Sequence, residues 1–226
     1  MAETHEDRMA RLDTYRREHR IIRNAWTRED DGRHLACLLA AYSPEAGAAK
    51  TASACPAEAM PTWVAHLTVW IDDCGTEAAC GPRVDRWIEF LRRTGDMDHD
   101  VLRRLDYKVR AVCLRFCLPH AGMAAGVVSS VLALCEDASR GEPVTGEQWA
   151  AAAAEAEAWA AADAEAEAWA AAAWAAADAV AAWAAADAVV VRASASAWDT
   201  AEALAAARAA AEDRLASLIL DCVEAV

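Results

Sequence analysis

An all-α fold is predicted by three features of the sequence. Residues 147–191 contain no Gly, Pro, Lys or Arg and are almost entirely Ala, the strongest helix former. Upstream, apolar residues recur at helical spacing in one segment after another, with Pro and Gly between the segments. Adjacent valines occur only at Val127, Val128 and at Val189, Val190, Val191, which gives sheet little support. The architecture expected is a multi-helix N-terminal body over residues 1–143. It is followed over residues 144–226 by an acidic region with a long Ala/Trp-rich helix or helical hairpin and a C-terminal amphipathic helix packed on the body.

The elements follow in order. Thr4 and Asp7 stand in capping-box spacing and open a helix over residues 4–26, with Met9, Leu12 and Tyr15 along one side. After a polar break over 27–32, residues 34–42 read as a short apolar helix with Leu35, Leu38 and Leu39 on one face, ended by Ser43 and Pro44. Residues 43–60, rich in Ala, Ser, Gly and Pro, read as a loop. Pro61 starts a helix whose inner face is Trp63, His66, Leu67, Trp70 and Ile71. Gly75 and Gly81 bracket a turn, and Pro82 opens a helix that buries Val84, Trp87, Ile88 and Leu91 and closes at Gly95. Asp98 or Asp100 caps the next, with Leu102, Leu105, Val109, Val112, Cys113 and Phe116 inside, and Pro119 stops it. A helix over 123–138 carries Val127, Val131, Leu134 and Cys135 and ends before Gly141 and Pro143.

Thr145 and Gln148 form a capping box at the mouth of the Ala tract. Inside the tract, tryptophans and acids repeat at ten- and nine-residue intervals, which advance by roughly 280° and 180° around a helix, so no face is kept and a coiled-coil heptad is rejected. The five-residue spacing of Trp159, Trp169 and Trp174 suggests a β-solenoid, but Trp183 breaks that register and Ala is a poor strand former. One straight helix would be about 70 Å long, against about 45 Å for a compact globule of this size, so the tract either breaks near Asp178, Asp187 or Ser194 or projects as a rod. A break is favoured, because an all-round Ala/Trp surface in water is an oversized apolar patch. Asp199 and Glu202 cap a last helix striped with Leu204, Ala211, Leu215, Leu218, Ile219 and Cys222.

Charge divides the chain. Residues 146–226 hold 14 acids against Arg192, Arg208 and Arg214, a net of −11, while residues 1–145 hold 22 acids and 19 bases, a net of −3. A basic nucleic-acid footprint is absent, so no direct nucleic-acid binding is expected. No run reaches the roughly 18 apolar residues of a membrane span, and the first twenty residues lack the apolar core of an export signal, so a cytoplasmic protein without membrane association is expected. The eight cysteines are then expected as reduced thiols.

Chemistry is sparse. Cys113, Cys117 and His120 lie at i, i+4, i+7, but Pro119 intervenes and no fourth ligand is indicated; Cys74 and Cys80 with His66 match no standard metal knuckle. His34 and Cys37 share a helical face without a third group. No phosphate loop, dinucleotide fingerprint or nucleophile elbow occurs. The expectation is therefore no enzyme, no metal and no cofactor. Asp72 and Asp73 stand out, because two carboxylates at a helix C-terminus oppose the macrodipole; the choices are a cap or arginine pair within the chain, or a divalent ion or a partner's arginine.

Two features point to a partner. Ten tryptophans are well above ordinary usage, and Trp149, Trp159, Trp169, Trp174 and Trp183 fall in one tract; they are either knobs between packed helices or exposed anchors for another protein. Glu155, Glu157, Asp163, Glu165 and Glu167 lie among them. As a DNA mimic the tract is dilute, with one charge per roughly 8 Å of helix against one per roughly 1.7 Å of duplex.

The segments LACLLAAYSPE (35–45) and ACPAEAMPTWVAHLTVWIDD (54–73), followed by a C-terminal Ala tract punctuated by aromatics and Asp, resemble a loose group of phage, prophage and bacterial proteins. The group transfers no activity or site; the resemblance implies a mobile-element context, in which small accessory proteins often bind and block a host machine. The expected function is a non-enzymatic protein–protein interaction, as a phage-borne inhibitor of a host defence or nucleic-acid-processing complex, in the manner of an anti-CRISPR protein. The partner is a host or self protein and the chain a monomer or homodimer; a structural, self-assembling protein and an acidic DNA mimic are the alternatives. The residues expected to bind the partner are the five tract tryptophans, the five acids named with them, Asp72 and Asp73.

Overall fold

A computed structural model describes residues 3–162 and 197–226, with side chains described except at 123, 158–162 and 197–204. Helix dominates, as expected, and the only sheet among the described residues is one two-stranded hairpin. None of the described helices is long and apolar enough to cross a membrane. The chain forms two compact units, residues 1–98 and 99–226. The division thus falls at Asp98/His99, not at the composition change near residue 143, because the helix that follows residue 98 packs on the C-terminal helix.

In the first unit, α1 (His5–Arg17) opens on the predicted Thr4/Asp7 capping box. It stops nine residues short of Trp26. His19 turns left-handed at φ 53°, and the Arg20 amide reaches back to the Tyr15 carbonyl, closing the helix in Schellman fashion. The polar break proves to be a hairpin, β1 (Thr27–Asp30) paired antiparallel with β2 (Arg33–Ala36). Asp31 and Gly32, both at positive φ (47° and 73°), form its two-residue turn; Asp-Gly is the strong sequence signal for such a turn. The expected helix over 34–42 therefore shrinks to α2 (Leu38–Tyr42), capped by Cys37 and wholly buried.

The expected loop over 43–60 contains α3 (Pro44–Ala49), with Ser43 as cap and Pro44 in its first turn, and a 3₁₀ turn at Ala52–Ala54. α4 (Thr62–Asp73) buries Val64, Ala65, Thr68, Ile71 and Asp72, a face rotated from the expected one. Trp63, Leu67 and Trp70 are only half-buried and His66 is exposed, since close helix packing favours the smaller side chains. α5 (Glu77–Thr94), capped by Thr76, starts five residues before Pro82, which sits inside it; Gly81 is helical too. Its buried face is the predicted Val84, Trp87, Ile88 and Leu91.

A polar clamp joins α1, α2 and α3. Buried Arg8 pairs in two-pronged fashion with Glu45 at 3.0 Å on each arm and holds that carboxyl down at about 2. The Tyr42 hydroxyl donates to the Ala59 carbonyl at 2.8 Å and meets His5 Nδ1 at 2.9 Å. The Trp87 indole donates to Thr68 Oγ1 at 2.9 Å, fixing α5 on α4, and its ring lies 4.7 Å from that of Phe90.

In the second unit, α6 (His99–Cys117) packs against α7 (Ala125–Arg140), which ends at Gly141 with φ 79°. α8 (Gly146–Ala162) starts on the predicted Thr145/Gln148 capping box and packs on α7. α9 (Ala197–Glu224) packs on α6 and buries Leu215, Ile219 and Cys222. It is already helical at Ala197, so Asp199 lies inside it and does not begin it. Leu218, expected inside, is exposed. The expected break near Asp178, Asp187 or Ser194 lies outside the described residues.

Replacing Trp87 with Phe leaves Thr68 without its indole donor and opens a void in a fully buried site. The expected loss is about 1–3 kcal/mol of stability in urea unfolding followed by circular dichroism. A loss below about 0.5 kcal/mol contradicts this account of the α4/α5 contact.

Candidate functional site

The last turn of α4 carries the two carboxylates singled out by their sequence position. The negative end of this helix is closed by two guanidinium groups that bind its carbonyls and leave the carboxylates aside. Arg83, from α5, donates through Nε to the Ile71 carbonyl at 2.9 Å and through Nη2 to that of Cys74. Arg23, in the loop after α1, donates to the carbonyls of Asp72 (2.9 Å), Asp73 (2.8 Å), Cys74 (2.8 Å) and Gly75 (3.2 Å), and to the Glu77 carboxylate at 2.8 Å. Positive charge at a helix C-terminus is favourable, and here it offsets the two acids that are not.

The carboxylates are thereby free to hold main-chain amides. Asp72 Oδ2 accepts from the Leu38 amide at 2.9 Å and pins the start of α2; Asp73 Oδ1 accepts from the Asn24 amide. Asp72 is completely buried, and its Oδ1 has no hydrogen-bond partner. Burial pushes its carboxyl up to about 7, helped by the neighbouring Asp73 and opposed by the Leu38 amide, Arg23 and Arg83. Of the four roles open to this pair, Asp72 takes a structural one: it is inaccessible to any partner, contrary to expectation. Asp73 is partly exposed and lines a depression of about 280 Å³ with Asn24, Trp26 and Cys37.

Burial holds most of the thiols in their protonated form. All eight cysteines are free and all but Cys80 are buried; burial drives Cys37 up to about 12 and Cys117 and Cys135 to about 11, and raises Cys55, Cys80 and Cys222. Among the described residues no three His, Cys, Asp or Glu side chains converge on a possible metal position. Cys113 and Cys117 are interior while His120 is exposed. His66 meets Ser53 Oγ at 3.2 Å, a contact the sequence reading missed; it lies at the surface, and no carboxylate among the described residues orients the ring as a catalytic dyad would require. His34 pairs with Glu29 across the hairpin, away from any thiol partner.

In the second unit, Trp149 is half-buried, stacked on Tyr107 with ring centroids 5.7 Å apart and planes 17° from parallel, against a cluster of Ala111, Leu132 and Cys135. This indole anchors α8 to its own chain. Ala152 is the next buried contact, while Glu147, Ala150, Ala151, Ala153, Ala154, Glu155 and Glu157 are exposed, so α8 turns outward a surface of methyls and carboxylates. Trp169, Trp174, Trp183, Asp163, Glu165 and Glu167 lie outside the described residues, as does the side chain of Trp159.

Between α6 and α9 runs a groove of about 560 Å³ that sequence reasoning did not find. Val112, Phe116 and Leu218 supply apolar lining; Arg115, His120 and Arg214 supply positive or protonatable groups. Its only sequence trace is the repeat Ala210, Arg214, Leu218 beside the buried stripe of α9. Comparison with protein-family models, with curated proteins and with solved structures finds no match to this chain.

Because the folded carboxyl of Asp72 titrates near 7 and the unfolded one near 3.8, the folded chain holds a proton between these values that the unfolded chain has released. Stability therefore falls as pH rises through that window, by at most about 4 kcal/mol, and the deficit persists above it. Asp72→Asn keeps an acceptor for the Leu38 amide but does not ionise. The expected result is that the melting temperature of the variant gains on the unmodified chain between pH 5 and pH 8.5; parallel pH profiles contradict the assignment.

Proposed function

We propose that the chain is a non-enzymatic protein-binding protein, acting as a phage-borne inhibitor of a host defence or nucleic-acid-processing complex. The observation that carries this reading is the outward surface of α8, where Glu147, Glu155 and Glu157 stand among exposed Ala methyls on a helix anchored from beneath by Trp149. Such a surface has carboxylates for a basic patch and small side chains that let another backbone approach closely. It has no group able to act as nucleophile, base or soft metal ligand beyond the carboxylates themselves. The net charge of −14 opposes direct nucleic-acid binding and favours fast encounter with a basic protein surface. The mobile-element context implied by the sequence resemblance supplies the class of partner, a host machine that itself handles nucleic acid and is accordingly basic. The buried, raised thiols and the structural use of Asp72 also favour binding over catalysis.

The test is capture from a lysate of the bacterial host by the immobilised full chain. The expected outcome is retention of a defined host complex at low salt, release at high salt, and at least a tenfold loss of capture by the Glu155→Lys/Glu157→Lys variant, both positions being exposed. A chain that retains no host protein and turns over a substrate sinks the proposal.

A further inference from the structure

The groove between α6 and α9 has a shape and a charge that fit one surface of the same molecule. Its lining extends over residues 112–120 of the α6 side and 210–218 of α9, about two turns of each, or roughly 12 Å of helix. The floor is apolar, and Leu218 is one of only two large apolar side chains exposed among the described residues. Arg214 is exposed and has no ion-pair partner among the described residues; Arg115 is exposed too and shares its charge with Glu136. An apolar trough with cations at its edge suits a narrow helix that carries acids beside small side chains.

α8 is such a helix. Its exposed residues are Ala and Glu, and Ala gives the smallest helix radius, which allows axes to approach at the close end of the 8–10 Å range. Glu147 and Glu157 are ten residues apart, about 15 Å along the axis, so the exposed face is long enough to fill the trough of roughly 12 Å. None of the described residues lining the groove comes from α8 of the same chain. We infer that the groove receives α8 of a second copy, with Glu155 and Glu157 facing Arg214 and Arg115 and Ala methyls covering Phe116 and Leu218. A two-fold axis makes the exchange reciprocal, so each copy supplies one helix and one groove and the contact is made twice. The inference rests on reading α8 as a protein-binding surface, and names a second copy as an occupant of it.

Sedimentation velocity of the full chain, from low micromolar to about 100 µM at low and at 500 mM salt, reads the association directly. The expected result is a dimer whose dissociation constant rises at least tenfold with the added salt. Arg214→Glu, at an exposed position that leaves the helix content unchanged by circular dichroism, is expected to be monomeric, as is Glu155→Arg/Glu157→Arg. Mixing the two variants is expected to restore a heterodimer through the one groove and one helix whose charges again oppose. A chain that is monomeric throughout, a dimer indifferent to salt and to Arg214→Glu, or variants that fail to rescue one another overturns the inference. A salt-sensitive dimer that captures no host protein leaves it standing and removes the host-directed function; a monomer that captures a host complex does the reverse.

Discussion

The first unit depends on how the negative end of α4 is closed. Two acids stand where the helix dipole is least tolerant of them, and one is fully out of water. Arg23 and Arg83 make this possible by binding the carbonyls of the helix end, with Arg23 reaching the Glu77 carboxylate as well. The division of roles ties four segments to one helix end: the loop at 23–24, the first turn of α2, the start of α5 through Glu77, and the body of α5 through Arg83. The raised carboxyl of Asp72 is the cost of this junction, since burial takes it out of water and one of its oxygens remains unpaired.

That junction also marks the limit of reading chemistry from position. The sequence exposed Asp72 and Asp73 as electrostatically misplaced, and the misplacement is real. What it did not contain is the direction of compensation, because Arg23 lies some fifty residues from the carbonyls it binds and its loop is set by the early, left-handed stop of α1 at His19. The Asp31-Gly32 turn signal stands in the sequence, but residues 27–32 read only as a polar break, and Leu35, counted into the helix that follows, pairs across the hairpin instead. On α4 the periodicity was correct and the phase was not: with Trp63 and Trp70 counted as core, the face rotates, whereas the interior selects Val64, Ala65 and Thr68 so that Trp87 can enter and bond to Thr68.

Local rules succeeded where the cause is local. The boxes at Thr4/Asp7 and Thr145/Gln148 form because donor and acceptor are three residues apart and no distant group competes. The core face of α5 is legible for the same reason, its four large apolar side chains being far more hydrophobic than anything on the opposite side. The groove of the second unit had no such signature. Its walls are about a hundred residues apart in the chain, and each contributes only a few residues that look like ordinary surface.

The Ala-rich helix raises a physical tension that the second unit resolves in a particular way. A methyl group removes little apolar area from water, so α8 gains little from each Ala contact with α7, and among its described side chains the stacked indole of Trp149 is the largest contact. Burial thins beyond Ala152, with Ala156 only half-covered. High intrinsic helix propensity keeps the backbone helical where packing is weak, which separates the two jobs that side chains usually share. The surface left over is then not needed for the fold of the chain that carries it. A helix held upright by propensity and one tryptophan can give its outer face to another molecule without the cooperative loss that uncovering a Leu-rich face would bring.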